Sequence, residues 1–172
     1  ARQRGEQQQV EGLYRGITSD KREWPVHPTP GANRGYQNGL LNSDYKIQKF
    51  DAACGPAVYR DTLFGMEFES DLFVCESVGN LVSRFKIEDN GSGSLQAVPA
   101  YDKSEFLAST DERFRPVNLI NGPDGALYIV DMYRGIVQHR MFVTSFLRKQ
   151  IKARGLETPL GLGRIWRVVP ED

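Results

Sequence analysis

Residues 121–131 read NGPDGALYIVD, and this stretch decides the fold class. Asp124 and Gly125 suit the positive φ angles of a tight hairpin turn, and Pro123 presets the backbone before them. The run that follows, 126–130, is almost entirely apolar, so the reading predicts a strand buried on both faces, as stacked sheets require. It ends in an acid, Asp131, and it is preceded by a shorter apolar run beginning at Pro116. The pattern is a β-hairpin built into a sheet stack.

The same order of features occurs upstream. Residues 54–89 read CGPAVYRDTLFGMEFESDLFVCESVGNLVSRFKIED, and residues 114–140 read FRPVNLINGPDGALYIVDMYRGIVQHR. Each begins with an apolar strand beside a proline (Pro56, Pro116), turns, and forms a second strand closing on an acid (Glu76, Asp131). A glycine turn follows (Gly79, Gly135), and then third strands are predicted over 80–87 and 136–140. Repeating antiparallel units of this size are the sequence mark of propeller blades. Between 144 and 155 the period changes. Thr144 suits an N-cap, Phe146, Leu147 and Ile151 share a face, basic residues fill the last turns and Gly155 stops a short helix. GRIWRVV at 163–169 then reads as a closing strand.

The expected fold is therefore all-β, a β-propeller fragment with about two C-terminal blades and one short inserted helix. Residues 1–42, rich in Gln, Gly, Pro and Arg, read as an irregular lead-in lying on the propeller, and 43–172 as its blades. Two blades cannot close a ring, so further blades are expected from elsewhere in the polypeptide or from other chains. Residues 1–9 are polar, with no initiator Met and no signal-peptide core, which reads as a cut N-terminus.

Composition narrows the function classes. Lys plus Arg and Asp plus Glu number 22 each, so a neutral chain exerts no general pull on nucleic acid or anionic membrane. No apolar run is long enough to span a bilayer. The two cysteines, Cys54 and Cys75, form neither a zinc-ligand set nor a haem-attachment signature, so no haem site is expected in this stretch. If the first hairpin pairs, both fall at the same end of it, where a disulfide is favoured slightly over two buried thiols.

Five segments together carry a family resemblance: NRGYQ (33–37), AACGPAVYR (52–60), LFVCESVGNLVSRF (72–85), the run EFLASTDERFRPVNLINGPDGALYIVDMYRGIVQHR (105–140) and GLGRIWRVVPE (161–171). In this order they resemble the propeller of the large membrane-bound dehydrogenase proteins typical of planctomycetes, similar to glucose and sorbosone dehydrogenases. The resemblance implies a six-bladed propeller in a periplasmic or secreted protein. It also implies oxidation of a sugar-like alcohol or aldehyde, a pyrroloquinoline quinone (PQQ) cofactor with calcium, and a c-type cytochrome as electron acceptor. The alternative is a non-catalytic propeller used as a carbohydrate- or protein-binding scaffold.

Blade topology nominates a site. Residues just before the first strand and just after the second share one face near the propeller axis. That groups Glu76 and Asn80 with Arg115, Asp131, Tyr133 and Arg134. Asp131 and Arg134 are the expected catalytic pair; Arg115, Glu76, Asn80 and Tyr133 are the expected cofactor contacts. An arginine there suits bidentate capture of a quinone carboxylate, and the acids suit calcium or proton abstraction. The structural alternative is that Asp131 pairs with Arg115 or Arg134 and merely holds neighbouring blades together. A metal ligand set is not assigned. His139 is expected on a third strand, away from the axis, and His27 is not positioned by any sequence feature. The Arg and Lys residues at 148–154 read as the solvated face of the helix.

Overall fold

The computed structural model describes residues 17, 18, 20, 22–29, 38–89, 91 and 93–171. The segment NRGYQ and most of the polar lead-in lie outside the described residues. Eight strands and one α-helix follow in chain order: β1 Ala53–Val58, β2 Leu72–Glu76, β3 Leu81–Asp89, β4 Leu95–Pro99, β5 Leu107–Ala108, β6 Pro116–Asn121, β7 Leu127–Asp131, α1 Ser145–Arg154 and β8 Arg164–Val168. They form two antiparallel sheets, β1-β2-β3-β4 with β5 beside β3, and β6-β7-β8. The architecture is all-β with a single helix, and no helix among the described residues is long and apolar enough to cross a membrane.

The two sheets pack through alternate side chains of their hairpins. Tyr59, Phe73, Cys75 and Val82 from the first meet Phe114, Leu119, Leu127 and Ile129 from the second. Phe106 adds an edge-to-face contact on Phe73 at 4.9 Å between ring centres. The phenol of Tyr59 crosses the seam and donates to the Gly125 carbonyl at 2.7 Å, so the deepest aromatic leaves no buried donor unpaired. Gly55 marks the closest approach. Its φ is +54°, and a Cβ there would lie 2.5 Å from the Asn118 Cα and 2.7 Å from the Val117 carbonyl oxygen. Only glycine lets the sheets come together at that point.

Both hairpins are bulged near the start of their first strand, between Cys54 and Ala57 and between Pro116 and Asn118. The turn before β7 forms with Gly125 alone at positive φ, +78°; Asp124, read as sharing that conformation, does not adopt it. Three further readings of the sequence need correction. Residues 136–140 are not a strand: the third strand of the second sheet is β8, paired with β7 from Leu127↔Val168 to Asp131↔Arg164. The intervening chain is diverted because Ile136 and Val143 cover Leu147, Ile151 and Leu156 in a separate apolar cluster around α1. His139 therefore lies on no strand; it caps the single 3-10 turn Arg140–Phe142, its Nδ1 accepting from the Met141 N–H. The third correction concerns β7, where Leu127, Ile129 and Asp131 are buried but Tyr128 and Val130 are only half-buried. Its second face carries no covering sheet among the described residues.

The helix is capped as its sequence suggests. Thr144 Oγ1 accepts from the Leu147 N–H at 3.2 Å, and Gly155 ends the helix in the left-handed region. Its buried face is Leu147 and Ile151.

Substituting Gly55→Ala should lower the unfolding free energy by about 2 kcal/mol or more, since positive φ and backbone overlap act together. Gly91→Ala, at φ +76° with open space around it, should cost only about 1 kcal/mol. Urea unfolding of the two variants measures the difference.

Candidate functional site: a buried arginine between two acid-ended hairpins

Glu76 and Asp131 hold equivalent positions. Each is the last residue of the second strand in its hairpin and lies opposite the first residue of the first strand, Ala53↔Glu76 and Pro116↔Asp131. Each carboxylate accepts from the backbone N–H just before that first strand, Ala52 to Glu76 Oε2 at 2.8 Å and Arg115 to Asp131 Oδ1 at 2.8 Å. Each also accepts from the N–H two residues on, Val78 to Glu76 Oε1 at 2.9 Å and Tyr133 to Asp131 Oδ1 at 2.7 Å. The acid thus clips the open end of the hairpin and shapes the turn that leaves it. Asp131 Oδ2 accepts in addition from the Trp166 indole at 2.9 Å, which fixes β8 to the same point. Burial pushes the Glu76 carboxyl above its ordinary range, against the lowering effect of the N–H groups of Ala52, Val78 and Gly79.

Arg115 joins the two clips. Its guanidinium is almost wholly buried and faces backbone carbonyls: Ser77 at 2.6 Å and Val78 at 3.5 Å in the turn after β2, Arg134 at 3.0 Å and Gly135 at 3.1 Å in the turn after β7. Burial lowers its pKa to about 10, while Glu76, Asp131 and Asp111 favour its charge, so it is a cation at neutral pH. Neighbouring Phe114 presents its carbonyl to the Asn80 amide at 2.6 Å. Asn80 itself sits at φ +60°, a conformation that asparagine tolerates better than most residues.

Four of the six nominated residues are therefore brought together: Glu76, Asn80, Arg115 and Asp131. The other two turn their side chains elsewhere. Tyr133, at φ +46°, donates its hydroxyl to Asp111 Oδ2 at 2.7 Å and lies under the Arg164 guanidinium. Arg134 has an exposed side chain and contributes its carbonyl instead. The ion pair of Asp131 with Arg115 or Arg134, the structural alternative, does not form among the described residues; Asp131 accepts instead from the Arg115 backbone N–H.

His27 is the residue that sequence reasoning left unplaced. It reaches the same corner, with Nε2 at 3.0 Å from Asn80 Oδ1 and Nδ1 at 2.8 Å from the Pro28 carbonyl. Both partners are acceptors, because the Asn80 amide nitrogen is engaged with Phe114 and Glu112. Making both contacts needs a doubly protonated ring, yet burial foremost, with Arg154 and Arg115, lowers the His27 pKa. The neutral ring holds one of the two contacts at a time. No local signal in the sequence marks this position; it follows from how 22–29 lies along 45–49 through the Thr29–Tyr45 and Glu23–Gln48 backbone bonds.

The cysteines also correct the expectation. Cys54 and Cys75 are direct cross-strand partners, but both are free thiols. Cys54 Sγ donates to the Pro116 carbonyl of the other sheet at 3.7 Å. Burial pushes the Cys75 thiol up to about 12, helped by Cys54 and Glu76, so it behaves as a small apolar group.

Fold and corner together define an all-β protein of two stacked antiparallel sheets, each hairpin closed by a buried acid. A family model described as "Domain of unknown function (DUF7133)" matches residues 3–172, and the chain belongs to that family. No curated protein matches the chain, and no solved structure does.

Arg115→Met, which strands four buried carbonyls, should lower the unfolding free energy by about 3 kcal/mol. Arg115→Lys should recover little of this, because an ammonium cannot span both turns. Arg134→Gln, at an exposed side chain, should stay within about 0.5 kcal/mol of the parent in the same urea titration.

Proposed function

We propose that the chain forms two neighbouring blades of a β-propeller in a periplasmic or secreted dehydrogenase resembling the sorbosone type. Its own residues frame the axial mouth, and the chemistry is carried by groups outside these two sheets. One observation carries this reading: the same acid-clipped, bulged hairpin occurs twice, stacked face to face, with the two clips joined by Arg115. The outward face of the second sheet supports it, since Ile120 and Ile165 are 54% and 66% exposed and β8 is an edge strand. Such a face and edge suit a further blade. A six-bladed ring follows from the family resemblance.

As engaged here, Arg115 and Asp131 do not fit a quinone or calcium. The Arg115 guanidinium faces four carbonyls, and both Asp131 oxygens already accept from N–H groups. No catalytic step is therefore assigned to Asp131 or Arg134, and no quinone contact to Arg115, Glu76, Asn80 or Tyr133. The work of Glu76, Asn80, Arg115 and Asp131 is to hold two turns at the rim of the channel in one shape. The same engagement of Arg115 and Asp131 favours a second reading, a non-catalytic propeller that binds carbohydrate or protein.

Absorption spectroscopy on the intact native protein separates the two. The dehydrogenase reading expects a quinone spectrum bleached by an aldose or aldehyde, with electrons passing to a c-type cytochrome. A closed ring with no quinone signal and no such electron transfer would leave the scaffold.

A further inference from the structure

Residues 22–29 lie against the turn that follows β2 without joining either sheet. They are tied to the chain at 45–49 by an isolated bridge from Arg22 to Lys49 and by backbone bonds from Glu23 to Gln48 and from Thr29 to Tyr45. The Thr29 hydroxyl accepts from the Ile47 N–H at 2.8 Å. Toward the first sheet, the Trp24 N–H donates to Glu105 at 2.9 Å and His27 meets Asn80 at 3.0 Å. A segment held by so few bonds opens more readily than the ladders beneath it.

The deepest side chain of this segment is an acid. Glu23 is 2% exposed, and neither of its carboxyl oxygens has a hydrogen-bond partner among the described residues. The carboxyl packs on the turn itself, since a Cβ on Gly79 would lie 3.0 Å from Glu23 Oε1. Three acids act on it: Glu76 at the end of β2, Glu105 just before β5 and Asp51 just before β1. Arg22, which pairs with Asp20, lines the cavity alongside together with Asp44, Lys46 and Lys103. Burial foremost, then the three acids, raises the Glu23 pKa to about 9, so the seated segment holds a neutral acid at neutral pH. A carboxylate sealed there with no donor is costly, and the weakly tied segment is the part that yields.

His27, four residues on, titrates in the opposite sense. Its ring lies between the Asn80 and Pro28 oxygens, facing Arg115 just before β6 and Arg154 at the end of α1, the latter paired with Glu112. Burial foremost lowers its pKa. The seated segment therefore favours a protonated Glu23 and a neutral His27.

We propose that residues 22–29 form a proton-gated strap, seated on the turn after β2 while Glu23 carries its proton and lifted when that proton is lost to solvent. Lifting uncovers the Asn80 side chain and leaves the contacts of Glu76 and Arg115 closed. The strap works on this turn whether or not the turn rims a propeller channel, so it stands apart from the dehydrogenase reading. Once lifted, Glu23 returns to its ordinary value near 4.5. Seating thus takes up one proton between about 4.5 and about 9, and weakens about tenfold per unit as pH rises through that window. Below the ordinary His27 value near 6.5, seating also expels a proton from His27, which offsets the gain at Glu23. The strap should hold level just below about 6.5 and loosen steadily above it.

Native-state hydrogen exchange on the intact protein, from about pH 5 to about pH 9, tests the strap. Protection factors at the Glu23 and Thr29 amides, corrected for intrinsic rates, should lie below those of the β2 amides, which marks an opening short of global unfolding. They should fall about tenfold per unit from about pH 6.5 toward 9. The Val78 amide, held by Glu76, should stay with β2. Glu23→Gln has no proton to lose, so its Thr29 protection should be flat over the same range. His27→Gln should go on tightening below about 6.5, where the parent levels off. If Glu23→Gln does not fold, the parental slope and His27→Gln still decide the matter. Strap protection that is constant above about pH 6.5, strap amides that exchange only together with β2, or a Glu23→Gln protein with the parental slope would each overturn the proposal.

Discussion

A guanidinium buried between two sheets must find oxygen acceptors on every side, and at Arg115 those acceptors are main-chain carbonyls from two different turns. That requirement sets much of what surrounds it. The turns after β2 and β7 must both point carbonyls inward at one spot, so their N–H groups face the other way, toward the carboxylates of Glu76 and Asp131. The acids in turn clip the starts of β1 and β6. A single cation thereby ties the two hairpins at this end of the seam, as Tyr59 on Gly125 and Asn121 on Val58 tie them at the other. Neutral side chains could fill the same volume, but they would leave the carbonyls unpaired in a low-dielectric site. The apolar contacts of Phe73, Leu119, Leu127 and Ile129 supply the bulk of the cohesion. Arg115 gives that cohesion a unique alignment.

Much of this arrangement was legible from residue order. The apolar run after Asp124 and Gly125, the acid ending each second strand, and the caps at Thr144 and Gly155 are local signals with local causes. They correctly indicated antiparallel hairpins, one helix and a shared corner for Glu76, Asn80, Arg115 and Asp131. What escaped the reading depended on partners distant in the chain. The third strand of the second sheet was sought directly after Gly135, but burying Leu147, Ile151 and Leu156 requires a detour that delays it to Arg164–Val168. An arginine beside an acid suggested an ion pair, because sequence does not reveal that the acid would be met by backbone N–H groups. The cysteines are opposite each other as expected, yet the thiol of Cys54 is drawn to the neighbouring sheet.

The same limit explains the two residues that sequence could not place. His27 and Glu23 lie five residues or fewer from one another in a stretch with little regular pattern, and both acquire their character only from what the stretch is laid against. His27 meets Asn80 of the first sheet, and Glu23 lies in the field of the Glu76 and Glu105 carboxyls. The two sites differ in kind. Around Arg115 every charge is answered within the protein, which suits a frame. Around Glu23 a buried acid has no donor, and burial with the fields of Glu76, Glu105 and Asp51 raises its pKa to about 9.

The central claim is that the two acid-clipped hairpins are equivalent units locked by Arg115. Native-state hydrogen exchange at the amides of Ala52, Val78, Arg115 and Tyr133 tests it most directly. The account expects all four to exchange only through global unfolding, with matched protection in the two hairpins and a joint loss of protection in Arg115→Met. Exchange of these amides at the rate of open surface turns, or protection of one pair without the other, would contradict it.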